Sequence, residues 1–223
     1  MNRHLFFQAI GKFLAGLLAV GALVFLPAGT LHYRNGWILL LILFVPMFAA
    51  GIVMMLSNPE LLRKRLNAKE SESEQKQVIA WSGLMFLAAF ILAGLNYRFD
   101  WIRMPDWTVW LAVAVFLLAY LMYAEVLREN AYLSRTIEVQ ENQKVVDTGL
   151  YGIVRHPMYA ATLFLFLSMP LVLGSPISFL VMLFYIPLIV KRIKNEELVL
   201  KQGLEGYSDY CSRVKYRIVP YLW

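Results

Sequence analysis

The sequence predicts an all-α polytopic membrane protein of about six transmembrane helices. The last two form a tight helical hairpin, next to a cytoplasmic loop and a C-terminal amphipathic helix. Three observations carry this. Of the 223 residues, 60% are hydrophobic and 16% charged, a balance foreign to an ordinary soluble domain. Uncharged apolar runs long enough to cross a bilayer recur along the chain. The basic residues segregate: with six spans and both termini inside, 18 of the 21 Lys and Arg fall on the cytoplasmic side, and only Arg34, Arg98 and Arg103 lie outside.

The first run, Phe13–Leu31, is 19 residues without a charge. That is longer than a signal-peptide core, and more spans follow, so it reads as a membrane helix, extended backward past a snorkelling Lys12. The second is Gly36–Leu56, closed by Ser57-Asn58-Pro59. A polar segment from Glu60 to Lys76 reads as a solvated loop with a short surface helix at Pro59–Leu66. The third and fourth runs are Val78–Leu95 and Trp107–Ala124, with Tyr97, Trp101 and Trp107 as interfacial anchors. Glu125–Arg155 is the longest polar connection. From Pro157 to Val190 no residue is charged. This stretch is too long for one upright span and is interrupted at Gly174-Ser175-Pro176, so it predicts two short helices of about 17 residues. The hairpin returns Lys191–Tyr210 to the side occupied by Arg155–Tyr159. Residues 1–127 then form a four-span region, and 128–223 a unit comprising loop, hairpin and tail.

The stretch that organises the chain is Asp147-Thr-Gly-Leu-Tyr-Gly-Ile-Val-Arg-His-Pro-Met-Tyr159. Pro157 disfavours helix at His156 and suits a first helical turn. Arg155 and His156 therefore belong at the mouth of a membrane helix, where free N–H groups and the helix dipole favour an anion such as a carboxylate. Some forty residues on, Lys191-Arg-Ile-Lys-Asn-Glu-Glu-Leu-Val-Leu-Lys201 extends the last span as an amphipathic helix. Arg192 and Glu196 stand four apart on one face of it.

Gly149-Leu-Tyr-Gly-Ile-Val-Arg-His-Pro-Met-Tyr159, with the later Asn195-Glu-Glu-Leu198 and Gly206-Tyr-Ser-Asp-Tyr210, resembles the isoprenylcysteine carboxyl methyltransferase family; phospholipid N-methyltransferases share much of the pattern. The resemblance covers roughly Ser134 to Pro220. It implies a methyltransferase using S-adenosyl-L-methionine on a lipophilic acceptor that enters from the bilayer. An isoprenoid-like carboxylate is the first expectation and a phospholipid amine the second. By the same resemblance the cofactor contacts are Gln143, Lys144, Val145 and Val146 through their backbone, then Tyr151, Arg155, His156, Pro157, Met158 and Tyr159, with Tyr207 from the tail. The acidic contact falls on Glu196 or Glu197, and the acceptor-positioning arginine on Arg192.

The residue types agree with that chemistry. A carboxylate asks for Arg or His donors, an ammonium and ribose hydroxyls for a carboxylate or carbonyl, and a sulfonium for π-rich surroundings. A carboxylate acceptor is already ionised near neutral pH, so alignment and desolvation suffice. An amine acceptor must lose a proton, which makes Glu196 or Glu197 a candidate base.

His4, His32 and His156 show no metal-ligand spacing, and Cys211, the single cysteine, has no identifiable activating base. The basic residues are scattered between apolar runs, against a nucleic-acid partner. The aromatic, basic tail (Tyr207, Tyr210, Arg213, Lys215, Tyr216, Arg217, Tyr221) reads first as an interfacial anchor and second as a closure of the pocket. Its Tyr210-Cys-Ser-Arg-Val-Lys-Tyr-Arg-Ile-Val-Pro-Tyr221 also resembles the ending of the longer NADPH-dependent membrane sterol reductases. A small transporter or scaffold is the non-enzymatic rival, but the polar residues cluster in loop and tail rather than within spans. The membrane expected is the plasma membrane in a prokaryote or the endoplasmic reticulum in a eukaryote.

Overall fold

A computed structural model describes residues 3–66, 73–133, 137 and 139–223. The described residues contain nine α-helices and one 3-10 turn: α1 (Arg3–Ala28), α2 (Arg34–Ser57), α3 (Pro59–Leu66), α4 (Ser73–Phe99), α5 (Asp106–Glu129), the 3-10 turn Gly149–Gly152, α6 (Pro157–Val172), α7 (Pro176–Met182), α8 (Tyr185–Gly203) and α9 (Tyr207–Arg213). Five helical stretches are long and apolar enough to cross a membrane: α1, α2, α4, α5 and α7–α8 taken together. The shorter α6 is a sixth apolar helix of 16 residues, giving a multi-pass architecture. Their outward faces carry exposed Leu18, Leu118 and Leu121, which suits lipid as the surrounding solvent.

The helices extend beyond the uncharged runs because helix formation does not stop where hydrophobicity does. In α1 the helix begins at Arg3, and Lys12 Nζ reaches the Leu66 carbonyl at 2.5 Å. The surface helix expected at Pro59–Leu66 is present with those bounds, while residues 67–72 of the polar segment after it lie outside the described residues. Proline within α2 is accommodated from a neighbour. Pro46 leaves the Ile42 carbonyl without its helical N–H, and beside it Tyr120 Oη of α5 donates to the next carbonyl, that of Leu43, at 2.8 Å.

The hairpin turns at Gly174, whose φ is +71°, a value glycine adopts freely. Ser175 then caps α7, its side chain accepting from Ser178 N. Tyr33 Oη donates to the Leu173 carbonyl at 2.5 Å, and Asn96 Nδ2 to those of Ile102 (3.0 Å) and Gly174 (3.4 Å). These bonds satisfy the turn's backbone where water is scarce. One expectation needs correction. The returning arm is two helices, not one, broken at Leu183-Phe184. Pro187 explains it: without an N–H it cannot bond the Leu183 carbonyl, and its ring crowds that oxygen. The helix therefore restarts at Tyr185, with proline in its first turn.

Two apolar cores hold the bundle. The larger joins α1, α2, α4, α5 and α6 around Phe116, Leu39 and Val24; the smaller joins α4, α6, α7 and α8 around Met182 and Ile193. α1 and α4 approach closely at Gly94, where a Cβ would stand 2.7 Å from the Val24 carbonyl oxygen. α5 and α6 pack along their length, which seats the Arg155–Tyr159 mouth against the end of α5.

Candidate functional site

The mouth of α6 is built from backbone outward. His156 is the N-cap residue with φ −125° and ψ 59°, outside the helical region as its following proline requires, and Pro157 opens the helix. The chain's tail returns to this point: Arg155 N donates to the Tyr216 carbonyl at 2.9 Å and His156 N to that of Arg217 at 2.8 Å. The 3-10 turn before it is held from two sides. Tyr210 Oη donates to the Tyr151 carbonyl at 2.7 Å, and Asn130 Nδ2 to Tyr151 Oη at 3.0 Å.

Beneath the mouth lies a buried ionic knot. Glu197, 4% exposed, receives Arg155 Nε at 2.8 Å on Oε1 and Arg217 Nε and Nη2 at 3.0 and 2.8 Å on Oε2; His156 Nε2 lies 3.3 Å from Oε1. Arg155 Nη1 spends its remaining bonds on the Val214 (2.8 Å) and Lys215 (3.0 Å) carbonyls. This part of α8 lies past Val190, beyond the uncharged run. The Arg155 and Arg217 guanidiniums offset the cost of burying the Glu197 charge.

The preceding residue on α8 points about 100° away. Glu196 Oε2 accepts from Tyr159 Oη, which itself accepts from Arg192 Nε at 3.0 Å. These three side chains line a cleft between the polar loop, the first turn of α6, α8 and α9. Gln143, Lys144, Val145 and Val146 form its loop side, and Tyr151, Arg155, His156 and Met158 its mouth; Tyr207 closes it from α9. Pro157 and Glu197, the remaining two of the sequence-derived residues, do not line it. The sequence reading placed Arg155 donors toward a ligand; the structure commits them to Glu197 and the tail. It also passed over Asn130, Tyr132, Ile137, Leu200 and Leu204, which line the same space as Tyr210, and it named Tyr210 and Arg217 only as part of the tail, whose second reading is closure of the pocket. The signal for Tyr210 and Arg217 lay in the aromatic, basic tail. Read first as an anchor, that tail instead folds inward, burying Tyr207 and Tyr210 with Leu204 and Val214.

Burial pushes the Tyr151, Tyr207 and Tyr210 phenols above their ordinary range, so they stand as neutral donors. Among the described residues, Tyr207 Oη is the buried side-chain polar atom without a hydrogen-bond partner. An orphan donor of this kind is costly unless a ligand meets it. The cleft thus offers a carboxylate, aromatic faces and loop backbone, with the unpartnered Tyr207 hydroxyl buried in its wall. That set fits a zwitterionic nucleoside such as S-adenosylmethionine, which needs no phosphate cradle.

Residues 112–202, about two-fifths of the chain, match the model of the isoprenylcysteine carboxyl methyltransferase (ICMT) family. This bears out the resemblance carried by the Gly149–Tyr159 motif, with the match beginning earlier, inside α5, and ending before the tail. Protein-S-isoprenylcysteine O-methyltransferase B of Arabidopsis thaliana is 27% identical over 139 residues, 58% of this chain and 71% of that protein. A Delta(14)-sterol reductase of Mus musculus is 32% identical over 91 residues, 40% of this chain, and one of Methylotuvimicrobium alcaliphilum 28% identical over 93 residues, also 40%. The chain spans about a fifth of the length of these reductases.

Proposed function

We propose that this membrane protein is an S-adenosylmethionine-dependent methyltransferase whose acceptor is a lipophilic carboxylate, of the isoprenylcysteine kind. The observation that carries this is the split between the two adjacent glutamates. Glu197 is consumed by Arg155 and Arg217, while Glu196 is held by Tyr159 and Arg192 on the wall of a cleft that Tyr207, whose hydroxyl has no partner, also lines. Glu196 and Tyr207 would hold the ammonium and ribose of the cofactor, the Gln143–Val146 backbone its adenine, and His156 its carboxylate. Arg192 would orient the acceptor. When bound, S-adenosylmethionine supplies an activated methyl group: the acceptor oxygen forms the new C–O bond as the S–CH3 bond breaks, its electron pair remaining on sulfur. No proton moves, so the chain's residues need only align and desolvate the acceptor. Residues 128–223 are the catalytic unit in this reading.

Tritiated S-adenosylmethionine and an S-prenylated cysteine with a free carboxyl, given to the purified protein, should yield a base-labile methyl ester. Turnover should be flat from about pH 6 to 8, because such a carboxyl is ionised throughout. A rate that climbs with pH on a phospholipid amine, with no ester formed, would transfer the assignment to N-methylation. The reductase matches favour a second reading, an NADPH-dependent sterol-type reductase. Thermal protection by NADPH and not by S-adenosylmethionine would establish it in place of the first.

A further inference from the structure

We infer that α3 walls the acceptor end of this cleft and that Arg65 positions the acceptor's anionic head there, so that the region before the matched segment contributes to the site. This rests on the methyltransferase reading above.

Pro59–Leu66 is anchored by buried Leu61 and Leu62. Its three consecutive basic residues diverge, as successive helical positions must. Arg63 stays in solvent, 3.3 Å from Glu60. Lys64 Nζ donates to Gln140 Oε1 of the polar loop at 2.5 Å. Arg65, half-buried, turns inward: Nη2 donates to Tyr123 Oη of α5, the guanidinium lies 5.5 Å from the centre of the Tyr123 ring, and Nη1 stands 3.9 Å from Met158 Sδ. With Lys12 holding the Leu66 carbonyl, the helix is tied to α1, α5, α6 and the loop at once.

Met158 lines the cleft, and its neighbour Tyr159 meets Arg192. The first turn of α6 therefore stands between two guanidiniums, Arg65 from α3 and Arg192 from α8. A carboxylate laid against that turn can be addressed from both sides. It must also be held against the negative Glu196 nearby, which one arginine shared with Tyr159 does poorly. A guanidinium stacked on an aromatic ring and fixed by its hydroxyl is pre-oriented, and its planar fork matches a carboxylate.

The test uses the full chain in lipid nanodiscs, with S-adenosylmethionine, an S-farnesylated N-acetylcysteine as acceptor, and the matching carboxamide as competitive inhibitor. Arg65→Gln should raise KM for the acid on the order of ten-fold. kcat and the KM for S-adenosylmethionine should stay within about two-fold, and the preference for acid over amide should collapse. Arg65→Lys should retain most of that preference, and Arg63→Gln all of it. If Arg65→Gln leaves the acid-over-amide preference intact, or lowers thermal stability and raises both KM values in parallel, Arg65 is only a tether and the inference falls. If the unsubstituted protein forms no ester from the acid, the parent reading falls and takes the inference with it.

Discussion

Two guanidiniums, of Arg155 and Arg217, converge on Glu197, whose carboxylate is almost wholly buried, and His156 Nε2 lies 3.3 Å from it. Removing it leaves Arg155 and Arg217 inside the protein with no counter-charge. Glu197→Ala should cost about 3–5 kcal/mol, read as a marked loss of thermal stability in detergent whether or not a ligand is present. Glu196→Gln should leave melting nearly unchanged and abolish cofactor binding, since its carboxylate faces the cleft. Tyr207→Phe removes a hydroxyl that has no partner. It should melt no lower than the parent while weakening S-adenosylmethionine by about ten-fold, the worth of one hydrogen bond. An equal effect of the two glutamate substitutions on melting would contradict this division. The sequence places both glutamates near the mouth but cannot choose between them. Adjacent helical positions point about 100° apart, and which of the two turns inward depends on Arg217, a residue from the far end of the chain.

Secondary elements were legible wherever backbone chemistry is local. Pro59–Leu66, the non-helical His156 and the Gly174-Ser175-Pro176 turn each follow from a proline, a glycine or a capping serine. The break at Leu183-Phe184 also has a local cause in Pro187, though it sits inside an unbroken apolar run and is masked by it. The fold of the tail was not legible. Tyr216 and Arg217 accept from Arg155 and His156 through backbone carbonyls, and a carbonyl is the same for every residue type. Helix packing adds a prediction of its own. Gly94 sits where a Cβ would be 2.7 Å from the Val24 carbonyl and 2.9 Å from Ala28 N. Gly94→Leu must force α1 away from α4, costing about 1–3 kcal/mol or more. Loss of stability with cofactor affinity retained would identify this contact as structural; stability equal to the parent would refute so close a packing.

At the scale of the whole molecule, the bundle is a scaffold that brings residues distant in sequence to one membrane face: α3, the polar loop, the α6 mouth, the Lys191–Gly203 end of α8 and the tail. We propose from the charge segregation that this face lies inside, an orientation open to test. In a Cys211→Ser background, Lys201→Cys should be reached by a membrane-impermeant maleimide only from the cytoplasmic side and Arg103→Cys only from the other. The reverse pattern would invert the proposed topology. On the methyltransferase proposal, such an arrangement would let a water-soluble cofactor meet an acceptor that stays in the bilayer.

The most direct measurement is calorimetric binding of S-adenosylmethionine and of NADPH to the purified protein, with Glu196→Gln and Tyr207→Phe in parallel. The account predicts saturable binding of S-adenosylmethionine alone, lost in the first variant and weakened about ten-fold in the second. Binding of NADPH instead, or binding of S-adenosylmethionine indifferent to both substitutions, would contradict it.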